Sequence, residues 1–182
     1  MSIYIMIGIG LVIVMYILIT FNSLIKMRNL VKEAFSTMDI YLKKRWDLVP
    51  NLVECVKGYA KHESSIFEKI TELRTSWTKT NSITEKAKID NQLAGMLRTI
   101  ITLSYNYPEL KANTNFLKLT SELSQIEDDI ANSRKYYNGT VRNYNNKIQM
   151  FPSNIVAFIF RFKSQEMFSI TTEEKQNVRV EL

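Results

Sequence analysis

One cysteine, one histidine, five glycines and three prolines among 182 residues exclude several chemistries at once. With Cys55 alone, no intramolecular disulfide can form, which fits a reducing compartment; the residue reads as a small apolar member of a helix face. With His62 alone, the chain cannot supply the paired Glu-x-x-His motifs of a di-metal helical bundle. Lys61-His62-Glu63-Ser64-Ser65-Ile66 is not a zinc-protease motif, because Ile66 stands where the second histidine belongs. Haem attachment would need Cys-x-x-Cys-His, and phosphate binding a glycine-rich loop, and the sequence has neither. No catalytic, cofactor-binding or metal-binding residue is therefore expected, and no enzymatic activity. The scarcity of glycine and proline also argues against a turn-rich β fold and for long helices.

Charge is missing too, from the whole of residues 1–25. Within Ile3–Phe21 lie seven Ile, two Leu, two Val and one Phe. A 19-residue helix rises about 28 Å, close to the hydrocarbon thickness of a bilayer. A cleaved signal peptide would carry a basic stretch before the apolar run and small residues at a cleavage site. Here Asn22-Ser23-Leu24-Ile25-Lys26 follows the run and no Lys or Arg precedes it. The expectation is a retained single-pass anchor over residues 1–25, meeting the bilayer through 3–25. Lys26, Arg28, Lys32, Lys43, Lys44 and Arg45 follow the span, so the N-terminus is expected outside and the C-terminal domain in the cytoplasm. The span has no Gly-x-x-x-Gly, hence no specific cue for dimerisation, and the oligomeric state stays open. A net charge of +6, from 24 basic and 18 acidic residues, is too mild and too dispersed to indicate a nucleic-acid partner.

After the anchor the pattern is helical, and residues 26–163 read as one domain followed by a polar tail, 164–182. Leu24, Met27, Val31, Ala34, Met38 and Tyr41 recur at steps of three and four, the seam of an antiparallel bundle or coiled coil. The spacing resumes at Leu48, Leu52, Cys55 and Tyr59. Asp47 can cap a helix and Pro50 suits a first turn, so a break is expected at Asp47-Leu48-Val49-Pro50. Ser82 with Glu85 forms a capping box opening a helix to about Asn106, with Ile89, Leu93, Met96, Leu97, Ile100 and Leu103 as its apolar face. Pro108 stops it, and Asn113 caps a last long helix whose seam runs from Phe116 to Phe151. The fold class expected is all-α: an N-terminal transmembrane helix, then an antiparallel up-and-down bundle of four long helices.

Two stretches stand out. Glu127, Arg134, Asn138 and Asn145 share one stripe of the last helix, bordering its apolar seam. They read as a polar network that fixes helix register, or as a polar groove for a peptide or lipid head group. Pro152 to Lys163 is nearly all apolar yet too short to span a bilayer. It reads as a short helix packed across the bundle, or as an interfacial segment with Phe158, Phe160 and Phe162 in lipid and Arg161 and Lys163 at head groups. With a chain reversal at Pro50, four passes would return residue 150 to the membrane; with one unbroken first helix, three passes would leave it distal. The alternation of Val178, Val180 and Leu182 suits an extended or frayed tail.

These motifs also resemble the LemA family. The resemblance rests on Arg28-Asn29, Val31, Glu33-Ala34-Phe35-Ser36 and Asp39. It continues in Leu42-Lys43-Lys44-Arg45, Asp47-Leu48-Val49-Pro50-Asn51-Leu52-Val53 and Val56-Lys57-Gly58-Tyr59-Ala60. In the second half it includes Tyr107-Pro108-Glu109-Leu110-Lys111-Ala112-Asn113, Asn115-Phe116, Ile130-Ala131, Arg134, Tyr137-Asn138, Tyr144-Asn145 and Phe151-Pro152. Phe35 stands where the family usually has Trp, and Arg161 precedes Phe162 where it usually has Gly. The resemblance implies a bacterial-type membrane protein with four long helices behind one span; it implies no activity and no active-site residues. A membrane-tethered scaffold or adaptor for protein partners is the expected role. The alternative is a peripheral lipid-binding or membrane-shaping module acting through 152–163.

Overall fold

Apolar residues recur at steps of three and four from Leu24 onward. The computed structural model, which describes residues 1–60 and 63–168, is helical over most of that length. The elements are α1 (Ser2–Lys57), α2 (Ser64–Lys79), α3 (Ile83–Leu103), a 3-10 turn (Ser104–Asn106), α4 (Pro108–Ala112), α5 (Thr114–Gln149) and α6 (Ser153–Ile159). The chain is all-helical, with no strand among the described residues. His62 and the alternating Val178, Val180 and Leu182 lie outside them.

The break expected at Pro50 is not there. α1 carries Pro50 inside it and ends only at Lys57. The buried seam explains why: Leu42, Trp46, Val49, Val53 and Val56 continue the steps of four and three straight through the proline. A proline in a helix interior costs about 3 kcal/mol through its missing N–H and its clash with the preceding turn. Five large apolar side chains buried in register outweigh that cost, at about 1.5–3 kcal/mol each. Asp47, read as a cap, is simply exposed on the opposite side. The first helix instead ends at Lys57-Gly58, where the N–H groups of Tyr59 and Ala60 both bond the Val56 carbonyl. Although the first helix is unbroken, four helices of 16 residues or more remain among the described residues, because α2 and α3 follow as separate helices.

The later boundaries follow their local chemistry. Ser82 Oγ accepts from the Glu85 N–H at 3.4 Å, while Thr80 rather than Ser82 takes the Glu85 carboxylate, so half of the capping box forms. The buried face of α3 is Ala87, Asp90, Leu93, Leu97 and Ile100, rotated slightly from the face expected, and it includes a carboxylate. Pro108 occupies the first turn of α4. Asn113 Oδ1 accepts from the N–H groups of Asn115 and Phe116, at 2.9 and 3.0 Å, and so caps α5. α5 runs through Gly139 unbroken for 36 residues, about 54 Å.

The contacts divide into two compact units. One comprises Met1–Thr37 and Lys135–Met167; the other comprises Met38–Arg134 with Phe168, the last described residue. In the first, Leu24, Val156 and Ala157 form a buried cluster with Ile17, Phe21, Ile148 and Phe162 around it. In the second, Trp46 stacks on Trp77 with ring centroids 5.7 Å apart, above a core that includes Leu52, Phe67, Leu93 and Leu123.

α6 ends in a Schellman turn. The N–H of Phe162 bonds the Ala157 carbonyl and that of Arg161 bonds the Phe158 carbonyl, with Arg161 at φ 56°. That left-handed position favours glycine, and an arginine there is strained.

Two substitutions test these backbone readings by thermal unfolding of the full chain in detergent, followed by far-UV circular dichroism. Pro50→Ala restores the missing donor and raises stability by about 1–3 kcal/mol; a loss would show that the ring's packing matters more than the helix ladder. Arg161→Gly removes the strain and stabilises by about 1 kcal/mol; no gain would mean that the arginine side chain makes compensating contacts.

Candidate functional site

The polar stripe of α5 is split between the two units, and each half binds something different. In the Met38–Arg134 unit, Glu127 and Arg134 join residues of α1 and α3. Arg45 is fully buried, at 0 % exposure, and its guanidinium bonds Asp90 Oδ1 and, at 2.7 Å, Glu127 Oε1. Asp90 turns its other oxygen to Arg134 at 2.7 Å. The four groups form a chain, Glu127–Arg45–Asp90–Arg134, of two cations and two anions. Arg134 also lies over the ring of Phe168, 5.1 Å from its centroid.

Burial is the dominant electrostatic influence on Arg45: desolvation pulls its guanidinium below the usual range, and the Glu127 carboxylate opposes the shift. An arginine starts so high that it remains charged, and that charge is met by the carboxylates of Asp90 and Glu127. Removing one partner of such a pair strands an uncompensated charge.

In the Lys135–Met167 unit, Asn145 fastens the segment after α6. Its amide donates to the Gln165 carbonyl and its carbonyl accepts from the Gln165 N–H, both at 2.9 Å. Tyr144 donates to the Lys163 carbonyl at 3.0 Å and Tyr137 to the Glu166 carbonyl at 2.7 Å. Burial pushes the Tyr137 phenol up to about 12, with Glu166 adding to the shift, so it stays a donor throughout the physiological range. Asn138 is half-buried and engaged. The stripe residues therefore spend their hydrogen bonds inside the protein.

Of the stripe, Glu127 lines a groove of about 300 Å³, floored by Leu97, Ile101 and Leu123; Arg134 and Asn138 do not line it. The Cys55 thiol, 3.8 Å from Asn113 Oδ1, has its ionisation pushed up by burial, the opposite of an activated nucleophile. Among the described residues, no group of three or more His, Cys, Asp or Glu side chains is placed to hold a metal ion.

The Pro152–Lys163 segment lies against the anchor. Phe160 and Phe162 flank Phe21 with centroids 4.6 and 5.8 Å away, and Arg28 covers Phe162 at 5.5 Å. Phe158 is left 85 % exposed, and Arg161 and Lys163 are exposed as well.

Sequence reasoning found Glu127 and Arg134 but missed their partners. From the sequence, Arg45 counts among the basic residues after the span, and Asp90 is passed over. The signal was Asp90 itself, which sits three residues from Ala87 and from Leu93 on a helix face that is otherwise apolar.

The sequence pattern of the LemA family matches residues 34–182. Protein LemA of Metamycoplasma hominis is 27 % identical over 170 residues, covering 86 % of this chain and 75 % of that protein. Magnetosome protein MamQ 2 of Paramagnetospirillum magneticum is 23 % identical over 178 residues, and magnetosome protein MamQ of Magnetospirillum gryphiswaldense 21 %. Each of these alignments covers 84 % of this chain, which spans 65 % of the magnetosome proteins' length.

Asp90→Ala should lower stability by about 3–5 kcal/mol, because it leaves Arg45 buried without its closest counter-charge. Glu127→Gln, at a carboxylate with 39 % of its side chain exposed, should cost under about 1 kcal/mol. Denaturant unfolding of the two variants measures the difference, and equal losses would overturn the ranking.

Proposed function

The chain belongs to the LemA family, and on that footing we propose that it is a single-pass membrane protein whose cytoplasmic helical bundle acts as a scaffold or adaptor for protein partners. The observation that carries this reading is α1. Its N-terminal stretch is long and apolar enough to cross a membrane, only 6 % of that window is buried, and the same helix continues into the core of the soluble domain. Apart from the half-buried Ile17, the apolar side chains from Ile3 to Ile19 are exposed along it, as a lipid-facing span requires and a soluble core helix does not.

The order of contacts supports a four-helix, up-down-up-down arrangement. Along α1, Trp46 and Lys57 meet Trp77 and Phe67 of α2, a series running in opposite directions. Asp39 and Arg45 meet Lys86 and Asp90 of α3, running in the same direction. Arg45 and Tyr59 meet Glu127 and Asn113, again in opposite directions. The cytoplasmic placement rests on Lys26, Arg28, Lys32, Lys43 and Lys44; Arg45 drops out of that count, being buried among carboxylates.

The way the polar groups are used supports a non-enzymatic role. The ionic chain and the tyrosines spend their bonding capacity on the fold, and Cys55 is not activated. What the domain offers is helical surface, including the groove between α3 and α5 floored by Leu97, Ile101 and Leu123.

Photo-crosslinking in intact membranes tests the adaptor role. A photoreactive residue at Ile101 or at exposed Ile40 should capture a discrete protein, and Ser124→Arg in the α3–α5 groove should reduce the Ile101 product about tenfold, equivalent to about 1.4 kcal/mol. Capture of lipid alone, or of nothing above background, would overturn the role. Orientation is checked separately: on whole cells an impermeant maleimide should leave Ile40→Cys unlabelled until the membrane is opened.

A further inference from the structure

Ile17 and Phe21 belong to the apolar run, and both pack against the segment that follows α5. This fixes the depth of α6. If Ile3–Phe21 lies in hydrocarbon, a helix seated beside its last residues lies at the edge of the bilayer on the domain's side. α6 buries Ser153, Val156 and Ala157 against that cluster and leaves Ile155, Phe158 and Ile159 exposed. Met150 and Phe151, just before it, are exposed too. Five large apolar side chains facing water within residues 150–159 would be anomalous on a soluble surface. Beside a transmembrane helix they form an apolar rim.

The charge distribution selects the lipid. The unit made of Met1–Thr37 and Lys135–Met167 contains eight Lys and Arg but only two acidic residues, Glu33 and Glu166. That net of +6 equals the formal charge of the whole chain, so the remaining residues are neutral together. The excess positive charge is confined to the unit that carries the anchor. Arg161 and Lys163 follow the apolar rim in the chain, Lys26 stands five residues after Phe21, and all three are exposed. Arg161 occupies its left-handed cap position where glycine would be unstrained, which places a cation at the end of α6 despite the backbone. A groove of about 500 Å³, lined by Ile148, Asn154, Ile155, Ala157, Phe158 and Phe162, opens beside the rim, and Asn154 Oδ1 is buried there without a partner among the described residues.

We propose that α6 and its flanks bind anionic phospholipid at the bilayer surface, with Ile155, Phe158 and Ile159 in the boundary between head groups and acyl chains and Lys26, Arg161 and Lys163 at the phosphates. The proposal rests on the anchored reading. Contact with lipid at two separate places, the span and α6, sets how deep the end of the apolar run, at Phe21, sits in the membrane.

The test uses the full chain, with Cys55→Ser, reconstituted into vesicles of phosphatidylcholine alone or mixed with phosphatidylglycerol. A nitroxide is attached in turn at Ile9→Cys, Phe158→Cys and Ile40→Cys, and its accessibility to oxygen and to a nickel chelate is measured by electron paramagnetic resonance. Phe158 should be oxygen-accessible and nickel-protected, ~5–10 Å below the phosphates, and several-fold more so in the anionic vesicles; Ile40 should be nickel-accessible in both. Arg161→Gln with Lys163→Gln should abolish the difference between vesicles. Nickel accessibility at Phe158 with Ile9 in lipid overturns this proposal alone, and Ile9 outside lipid overturns it together with the anchor. Protection of Phe158 from both reagents would mean that protein covers it, which also overturns the proposal. Equal depth in the two vesicle types would refute the selection of anionic lipid.

Discussion

A guanidinium with no exposed surface has to be neutralised where it sits, and Arg45 is such a group. Its charge is met from α3 by Asp90 and from α5 by Glu127, while Asp90 is shared with Arg134. Within the Met38–Arg134 unit this one requirement ties three helices to a single register. Sliding α3 by one turn would move Asp90 about 5.4 Å along its axis and leave Arg45 unpaired in the interior. An apolar set of similar volume could be as stable or more so, since buried ion pairs repay their desolvation poorly. What such a set would lack is discrimination between registers, because Leu against Leu fits nearly as well one turn away. The heptad-like seams of α1 and α5 are repetitive enough to make that discrimination matter.

The proline in α1 illustrates the opposite balance. Local chemistry favours a break at Asp47-Leu48-Val49-Pro50, since a capping side chain followed by proline within a turn is how many helices begin. The tertiary seam disagrees, and it wins because it involves more free energy. Trp46, Val49, Leu52, Val53 and Val56 are all buried around the proline, and any reorientation at residue 47 would expose several of them. The helix then ends where the seam ends, at a Lys57-Gly58 pair with Ala60 buried beyond it. Continuity of α1 means that the span and the helix bearing Arg45 are one element.

Much of this was legible in the sequence, because it depended on signals confined to a few neighbouring residues. The uncharged run of residues 1–25, the Ser82 cap, the stop before Pro108 and the Asn113 cap each need only a short window to read. The stripe residues Glu127 and Arg134 were visible as polar groups bordering an apolar seam. Their partners were not, because pairing Arg45 with Asp90 joins positions 45 residues apart, and periodicity carries no information about which helix lies opposite. Pro50 was misread for a related reason: a local rule was weighed without the packing that overrules it. The seat of α6 against Phe21 joins positions more than 130 apart and was equally hidden, although the segment's composition marked it as unusual.

Arg161 connects the backbone to the proposed lipid contact. In a left-handed cap the arginine costs about 1 kcal/mol relative to glycine. A basic side chain near an anionic bilayer surface gains about 1 kcal/mol. The two terms are of similar size and opposite sign, so the residue is close to neutral when the protein sits in an anionic membrane and unfavourable when it does not. Glycine would satisfy the turn alone, and a lysine or arginine elsewhere on the rim would satisfy the lipid alone. Only a cation at this position fixes the charge to the end of α6, beside Phe160 and Phe162 where they pack on Phe21. On that proposal the strain has a cause in the α6 contact itself: the turn that aims the phenylalanines at Phe21 is the turn that holds the arginine beside them.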